Sequence, residues 1–237
     1  MNKNRDFKHF FLLLAIFFPT IFLCLAENID APFHEWPKNY SLSILNESSW
    51  SQQETYIQQL RGIGSGIQGE KEIYNTYFVR FLSAKPVRKA FARIKELHID
   101  YDSLSAVEKL DFDAENKKSV DLDLKDWIVV SVAFRSNVPR EESRVDQFLM
   151  SQTTETVKTR VYLSTKRFPR LEIAEYIPPT EKIVGAKFIF PKFKDGMKIV
   201  TAEDEKIIFE FNAPGSDPLL RTTFDVKKMI QGGELII

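Results

Sequence analysis

The chain has 237 residues, in which 33 Lys and Arg balance 33 Asp and Glu, with 43% hydrophobic residues, 13% aromatic residues and a single cysteine. A formal net charge of zero excludes global attraction to nucleic acid, and one cysteine excludes a disulfide-stapled scaffold. The length and apolar content suffice for one large core or two small ones.

Residues 1–26 read as an export signal. Lys3, Arg5 and Lys8 give a positive start, and an apolar run from Phe10 to Ala26 follows, interrupted by Pro19 and Thr20. Cys24 and Ala26 are small residues at the −3 and −1 positions of a cut before Glu27. The expectation is therefore an exported protein, secreted or periplasmic. Two alternatives stay open. The apolar run falls short of the roughly 20 residues that span a bilayer, which disfavours an uncleaved membrane anchor. Lipidation at Cys24 is opposed by the bulk of Phe22 and Leu23 immediately before it. Cleavage removes three cations and Asp6, leaving a chain of net charge −2 with no cysteine.

Residues 27–50 read as an irregular segment, broken by Pro32 and Pro37 and pinned by Phe33, Trp36 and Trp50. Residues 51–122 read as a helical region. Ser51 and Glu54 fit a capping box ahead of an apolar stripe of Tyr56, Ile57 and Leu60. Glycines at 62, 64, 66 and 69 end that helix, and a second helix is expected from Glu70 to about Leu82. A third starts near Pro86 and carries Val87, Phe91, Ile94 and His98 on one face. A fourth runs from Ser103 to about Phe112 with Leu104, Val107 and Leu110 turned inward, followed by a charged, exposed stretch from Asp111 to Lys118.

From residue 123 to 237 the pattern becomes β. Ile128, Val130, Val132 and Phe134 alternate as in a half-buried strand, and Val157, Thr159, Val161 and Leu163 repeat that period. Further strands fit 171–177, 183–190, 197–201, 205–211 and 220–226, with a last one at Glu234 to Ile237. Pro139 opens an amphipathic helix containing Val145, Phe148 and Leu149. Turns are expected at Lys194-Asp195-Gly196 and Ala202-Glu203-Asp204. Together these predict an α+β chain, in which a small N-terminal helical region precedes a C-terminal antiparallel β-sandwich of immunoglobulin-like general architecture.

Motifs for chemistry are sparse. Gly64-Ser65-Gly66-Ile67-Gln68-Gly69 matches G-x-G-x-x-G, but it follows an expected helix rather than the strand a phosphate loop requires. Asp111, Asp113 and Glu115 resemble the start of a calcium loop, yet Asn116 and Leu122 stand where Gly and a bidentate Glu are needed. His34 and His98 are the histidines after the signal, one in the irregular segment and one on an apolar helix side, so neither zinc nor a His-based hydrolase is indicated. No catalytic residue, metal ligand or cofactor is assigned.

Charge patterning is the sharpest remaining signal. Arg80, Lys85, Arg88, Lys89, Arg93 and Lys95 fall in an acid-free stretch, and an acid-rich block from Asp100 to Asp126 follows. Such clusters either pair within the molecule or give peripheral contact with anionic lipid or an acidic partner. Lys158, Arg160, Lys166, Arg167 and Arg170 form a second basic set, with Lys158, Arg160 and Lys166 sharing strand parity. The functional expectation is an exported, non-enzymatic interaction or envelope module for a protein or an envelope polymer. The alternative is an exported carbohydrate-active hydrolase using Asp/Glu pairs on sandwich loops.

Overall fold

A computed structural model describes residues 31–60, 71–180, 185–214 and 219–237. The export-signal segment and the Gly64–Gly69 loop lie outside the described residues. A 3-10 turn at Phe33–Glu35 leads into α1 (Lys38–Asn46). Strands β1 (Ser51–Leu60) and β2 (Lys71–Phe81) follow, then α2 (Lys85–His98), α3 (Ala106–Val120) and β3 (Trp127–Ser136). After α4 (Pro139–Ser151) and the single turn α5 (Thr154–Val157) come β4 (Val161–Ser164), β5 (Leu171–Glu172), β6 (Glu175–Ile177) and β7 (Ala186–Pro191). The remainder is a hairpin of β8 (Phe193–Lys194) and β9 (Met197–Lys198), strands β10 (Lys206–Phe211) and β11 (Leu220–Asp225), and a hairpin of β12 (Ile230–Gln231) and β13 (Glu234–Leu235).

The strands form one five-stranded sheet of order β1-β2-β3-β7-β6, one four-stranded sheet of order β11-β10-β4-β5, and the two hairpins. Every pairing in the two main sheets is antiparallel. Register places Tyr77, Val79 and Phe81 of β2 beside Phe134, Val132 and Val130 of β3, and Val130 beside Phe188 of β7. That set forms the inner face of the five-stranded sheet, because side chains alternate with period two. Rings from the other sheet meet it: Phe188 lies 5.6 Å from Phe209 and 5.1 Å from Phe211, and Phe81 lies 4.7 Å from Phe224. All are buried, each contributing up to about 1.5–3 kcal/mol by leaving water.

Helices cover part of the opposite, outer face. Arg80, on the outer parity of β2, donates from Nε to the Leu45 carbonyl at 2.5 Å and from Nη2 to Asn46 Oδ1 at 3.1 Å, tying the end of α1 to the sheet. Phe78 and Phe91 flank its guanidinium at 4.8 and 5.5 Å. Burial lowers the Arg80 pKa to about 10. Gly185, at φ +77°, sits so close to β3 that a Cβ would lie 2.9 Å from the Val132 carbonyl oxygen, so a side chain is excluded there.

Several expectations are corrected. The helices expected over 51–60 and 70–82 are strands β1 and β2, so α2 and α3 interrupt the sheet rather than precede it. Long-range pairing, with register Ser51 to Arg80 through Leu60 to Lys71, outweighs the helical propensity of the Gln and Glu residues in β1. Residues 27–50 are less irregular than expected, since α1 occupies 38–46 and buries Ile44 and Leu45. Trp36 and Trp50 do anchor the segment, at 2% and 0% exposure. The fourth helix continues to Val120 and turns Phe112, Asn116 and Val120 inward, while Val107 and Leu110 stand 71% and 72% exposed. Its capping box is Ser105 with Glu108. The strand expected from Val157 begins at Val161, because Thr153 and Thr156 cap the short helix α5 ahead of it. Strand β3 is buried on both faces from Ile128 to Phe134 rather than half-buried. The alternation of β10 is as read, with Ile207, Phe209 and Phe211 buried and Lys206 exposed. The turn at Asp195-Gly196, with φ +52° and +75°, closes the β8–β9 hairpin as expected.

Candidate functional site

Helix α2 presents Arg88, Phe91, Ala92 and Lys95 at the i, i+3, i+4 and i+7 spacing of a single helix face. They overhang the outer face of the five-stranded sheet. There Val129 and Ser131 of β3, Lys187 of β7 and Leu82 after β2 form a floor. Asn116 and Ser119 of α3, with Leu122 and Leu124 in the connection to β3, close the remaining side. The half-open cleft has a volume of about 460 Å³, within the range of small-molecule sites. Apolar side chains dominate its walls, and three cations but no carboxylate stand among the described residues that line it.

The three cations differ in how far they are committed. Arg88 Nη1 donates to the carbonyls of Leu82 and Ser83 at 2.7 and 2.6 Å, and Nε donates to that of Val120 at 3.0 Å. It is a structural clamp that fixes the end of α3 to the start of α2, and burial lowers its pKa against the opposing pull of Asp121. Lys95 Nζ stands 3.0 Å from Glu115 Oε1 on α3. Lys187 is half-buried in the sheet, opposite Ser131 in register, and has no ion pair among the described residues. Desolvation lowers its pKa, the expected response of an ammonium held against apolar walls. Asn116 is 4% exposed, and its Nδ2 has no hydrogen-bond partner. It stands in the wall shared with a smaller cavity lined by Phe33, His34, Lys89 and Asp121.

At that smaller cavity the N-terminal segment is latched to α2. His34 Nδ1 lies 2.6 Å from Glu96 Oε1, and Arg93 Nη1 lies 3.2 Å from Glu96 Oε2, with the Glu96 side chain only 1% exposed. Arg93 Nε also donates to the Trp36 carbonyl at 2.9 Å. A carboxylate this deeply buried requires such partners.

The residues singled out from sequence separate as follows. Of the basic cluster, Lys85 pairs with Asp121 at 2.6 Å and Lys95 with Glu115, both on or just after α3, while Arg80 and Arg88 bond backbone carbonyls. The acidic block is thus in part the intramolecular partner of the basic one. Asp111, Asp113 and Glu115 lie on the continuous helix α3 rather than in a loop, and Tyr101 donates to Asp113 at 2.8 Å. No group of three or more His, Cys, Asp or Glu with metal-holding geometry occurs among the described residues. His98 is exposed at the C-terminal end of α2, not turned to the core, where its position suits the helix dipole. In the second basic set Lys158 ends α5 and Arg160 and Lys166 flank β4, so the expected common strand face does not exist. Arg170 stacks on Tyr162 at 4.0 Å.

Among the described residues two carboxylates are raised by desolvation, Glu54 on β1 and Asp146 on α4, the latter also by Glu142. Neither lines the cleft. Lys187 and Leu124 escaped sequence reading. The readable signal was a lone cation inside the strand run Ala186-Lys187-Phe188-Ile189-Phe190. No helix among the described residues is long and apolar enough to cross a membrane. Comparison with protein-family models, curated proteins and solved structures finds no match.

Proposed function

We propose that this chain is an exported, non-enzymatic binding protein of the cell envelope or its surroundings, built as a β-sandwich with helices on one outer face, and that the cleft beneath α2 is its binding site. The observation that carries this reading is the pairing of apolar walls with an uncommitted half-buried cation, Lys187. Such a cation costs stability where it stands, as a desolvated ammonium does in the absence of an anion. The stacked sheets, whose rings meet at 5.1 to 5.6 Å around Phe188, support the sandwich architecture. The residues before the first described element support export, through the positive start and the small residues ahead of Glu27.

The test is the intact mass of the native protein recovered separately from soluble and membrane fractions. A species beginning at Glu27 outside the cytoplasm is the expected result. An acylated Cys24 or an uncleaved chain in the membrane makes it an anchored envelope protein with the same cleft. An unprocessed chain confined to the cytoplasm overturns the export reading.

A further inference from the structure

We propose that the cleft beneath α2 takes a monoanionic amphiphile, a carboxylate attached to an apolar chain, with the carboxylate on Lys187 and the chain along Leu82, Phe91, Leu122, Leu124 and Val129. This rests on the reading of the cleft as a binding site and adds the chemical class of its occupant.

The charge count inside the cleft sets the class. Two of the three cations already face an anion: Arg88, whose Nε and Nη1 donate to three backbone carbonyls, lies in the field of Asp121, and Lys95 is held by Glu115. Lys187 remains with no anion among the described residues, and so complements a single negative charge. A multiply charged ligand such as a nucleotide or sugar phosphate would bring charge that these walls do not offset. A neutral apolar ligand would leave Lys187 buried and still unpaired. Ser131, opposite Lys187 in register, is a further polar residue of the cleft lining. Asn116 contributes an amide whose Nδ2 lacks a partner, and an amide is reoriented by rotation about its last side-chain bond. Leu82, Phe91, Ala92, Leu122, Leu124 and Val129 supply the apolar part of the lining, which rewards a chain rather than a compact polar anion.

A carboxylate of this kind exists free in solution or is approached at a lipid surface, and the experiment separates the two. Decanoate below its micelle-forming concentration is titrated calorimetrically into the folded chain, beside 1-decanol and vesicles of phosphatidylglycerol. Saturable decanoate binding at one site is expected, with decanol at least about tenfold weaker, the scale of one charge-assisted hydrogen bond. Lys187→Met should weaken decanoate about tenfold or more while leaving the melting temperature unchanged or raised, since it removes a desolvated charge. Lys198→Met, on the exposed β8–β9 hairpin, should bind as the wild type does.

No decanoate binding by a chain with native circular dichroism overturns the proposal, as does equal binding by the Lys187→Met variant. Vesicle binding without decanoate binding also overturns it, in favour of a lipid surface. Ser119→Trp keeps this failure apart from failure of the cleft as a site, since Ser119 is an exposed lining residue whose enlargement blocks the cleft without touching the core. Native mass spectrometry of protein from its producing cells then decides. A co-purifying adduct lost in Ser119→Trp, with no decanoate binding, keeps the site and rejects the ligand class.

Discussion

The two faces of the five-stranded sheet are made by the same strands and solve opposite problems. The inner face is aromatic, with Tyr77, Phe134, Phe188 and Phe190 all nearly fully buried against the second sheet. The outer face carries Arg80, Ser131 and Lys187 under a roof of helices. Alternation along one strand thus gives one side a packed aromatic core and the other a helix-roofed cleft. Arg80 shows how a cation is made compatible with the outer side, since carbonyl acceptors and flanking rings replace its water. Lys187 lacks those replacements among the described residues, and that difference is what the proposed carboxylate ligand would supply.

Substitutions on the two faces should therefore differ in size. The largest loss is expected for Phe188→Ala, which removes a ring touching Tyr176, Phe209 and Phe211. Urea unfolding should show it less stable by about 3–5 kcal/mol. A loss below 1 kcal/mol would mean that the two sheets do not share a core. Arg80→Met keeps the apolar stem but leaves the Leu45 carbonyl without its donor, and about 1–3 kcal/mol should be lost. Hydrogen exchange should then quicken in α1 before it does in β2; uniform quickening would count against a local tie.

The elements of the two faces also differ in how readable they were. The inward positions of β10 follow from strict alternation at Ile207, Phe209 and Phe211, and of the three aromatics expected to pin the N-terminal segment Trp36 and Trp50 are buried while Phe33 is partly so. The strand nature of residues 71–81 was legible in its β-branched and aromatic content, but Asn75 interrupts the apolar period with a polar residue that is buried. Strand β1 was not legible. It stands at the edge of its sheet, with little apolar side to bury, and its long-range pairing with β2 fixes it. Val107 and Leu110 fitted an inward stripe at helical spacing, and the actual inward set, Phe112, Asn116 and Val120, is offset because an amide occupies one of its positions. The cleft was half visible: its α2 cations stood out as a cluster, whereas Lys187 and Leu124 join them only through tertiary structure.

Smaller effects are expected where helices face water. Ser105→Ala removes the acceptor for the Glu108 amide at the start of α3 and should cost about 1 kcal/mol in thermal unfolding. An unchanged melting temperature would show that α3 is held by Arg88 and its ion pairs alone. The smallest effect carries a sign. Desolvation, assisted by Glu142 and opposed by Arg135, raises the Asp146 pKa above its ordinary value of 3.8. The folded state therefore binds this proton more tightly than the unfolded one, so ionised Asp146 opposes folding at neutral pH, and that penalty fades as pH falls through the raised value towards 3.8. Asp146→Asn should melt slightly higher than the wild type at pH 7 and equal to it near pH 3. A variant that melts lower at pH 7 would reverse the assignment.

The indole of Trp50 donates to the carbonyl of Ile236 at 2.8 Å, a bond between residues 186 positions apart. Its consequence is kinetic. Strands β1 and β2 can pair early, but the pocket around Trp50 stays open until residues near 236 have been synthesised and have returned to it. A contact of that sequence separation adds to the loop-closure entropy that must be lost before this part of the core closes, a contribution that slows folding.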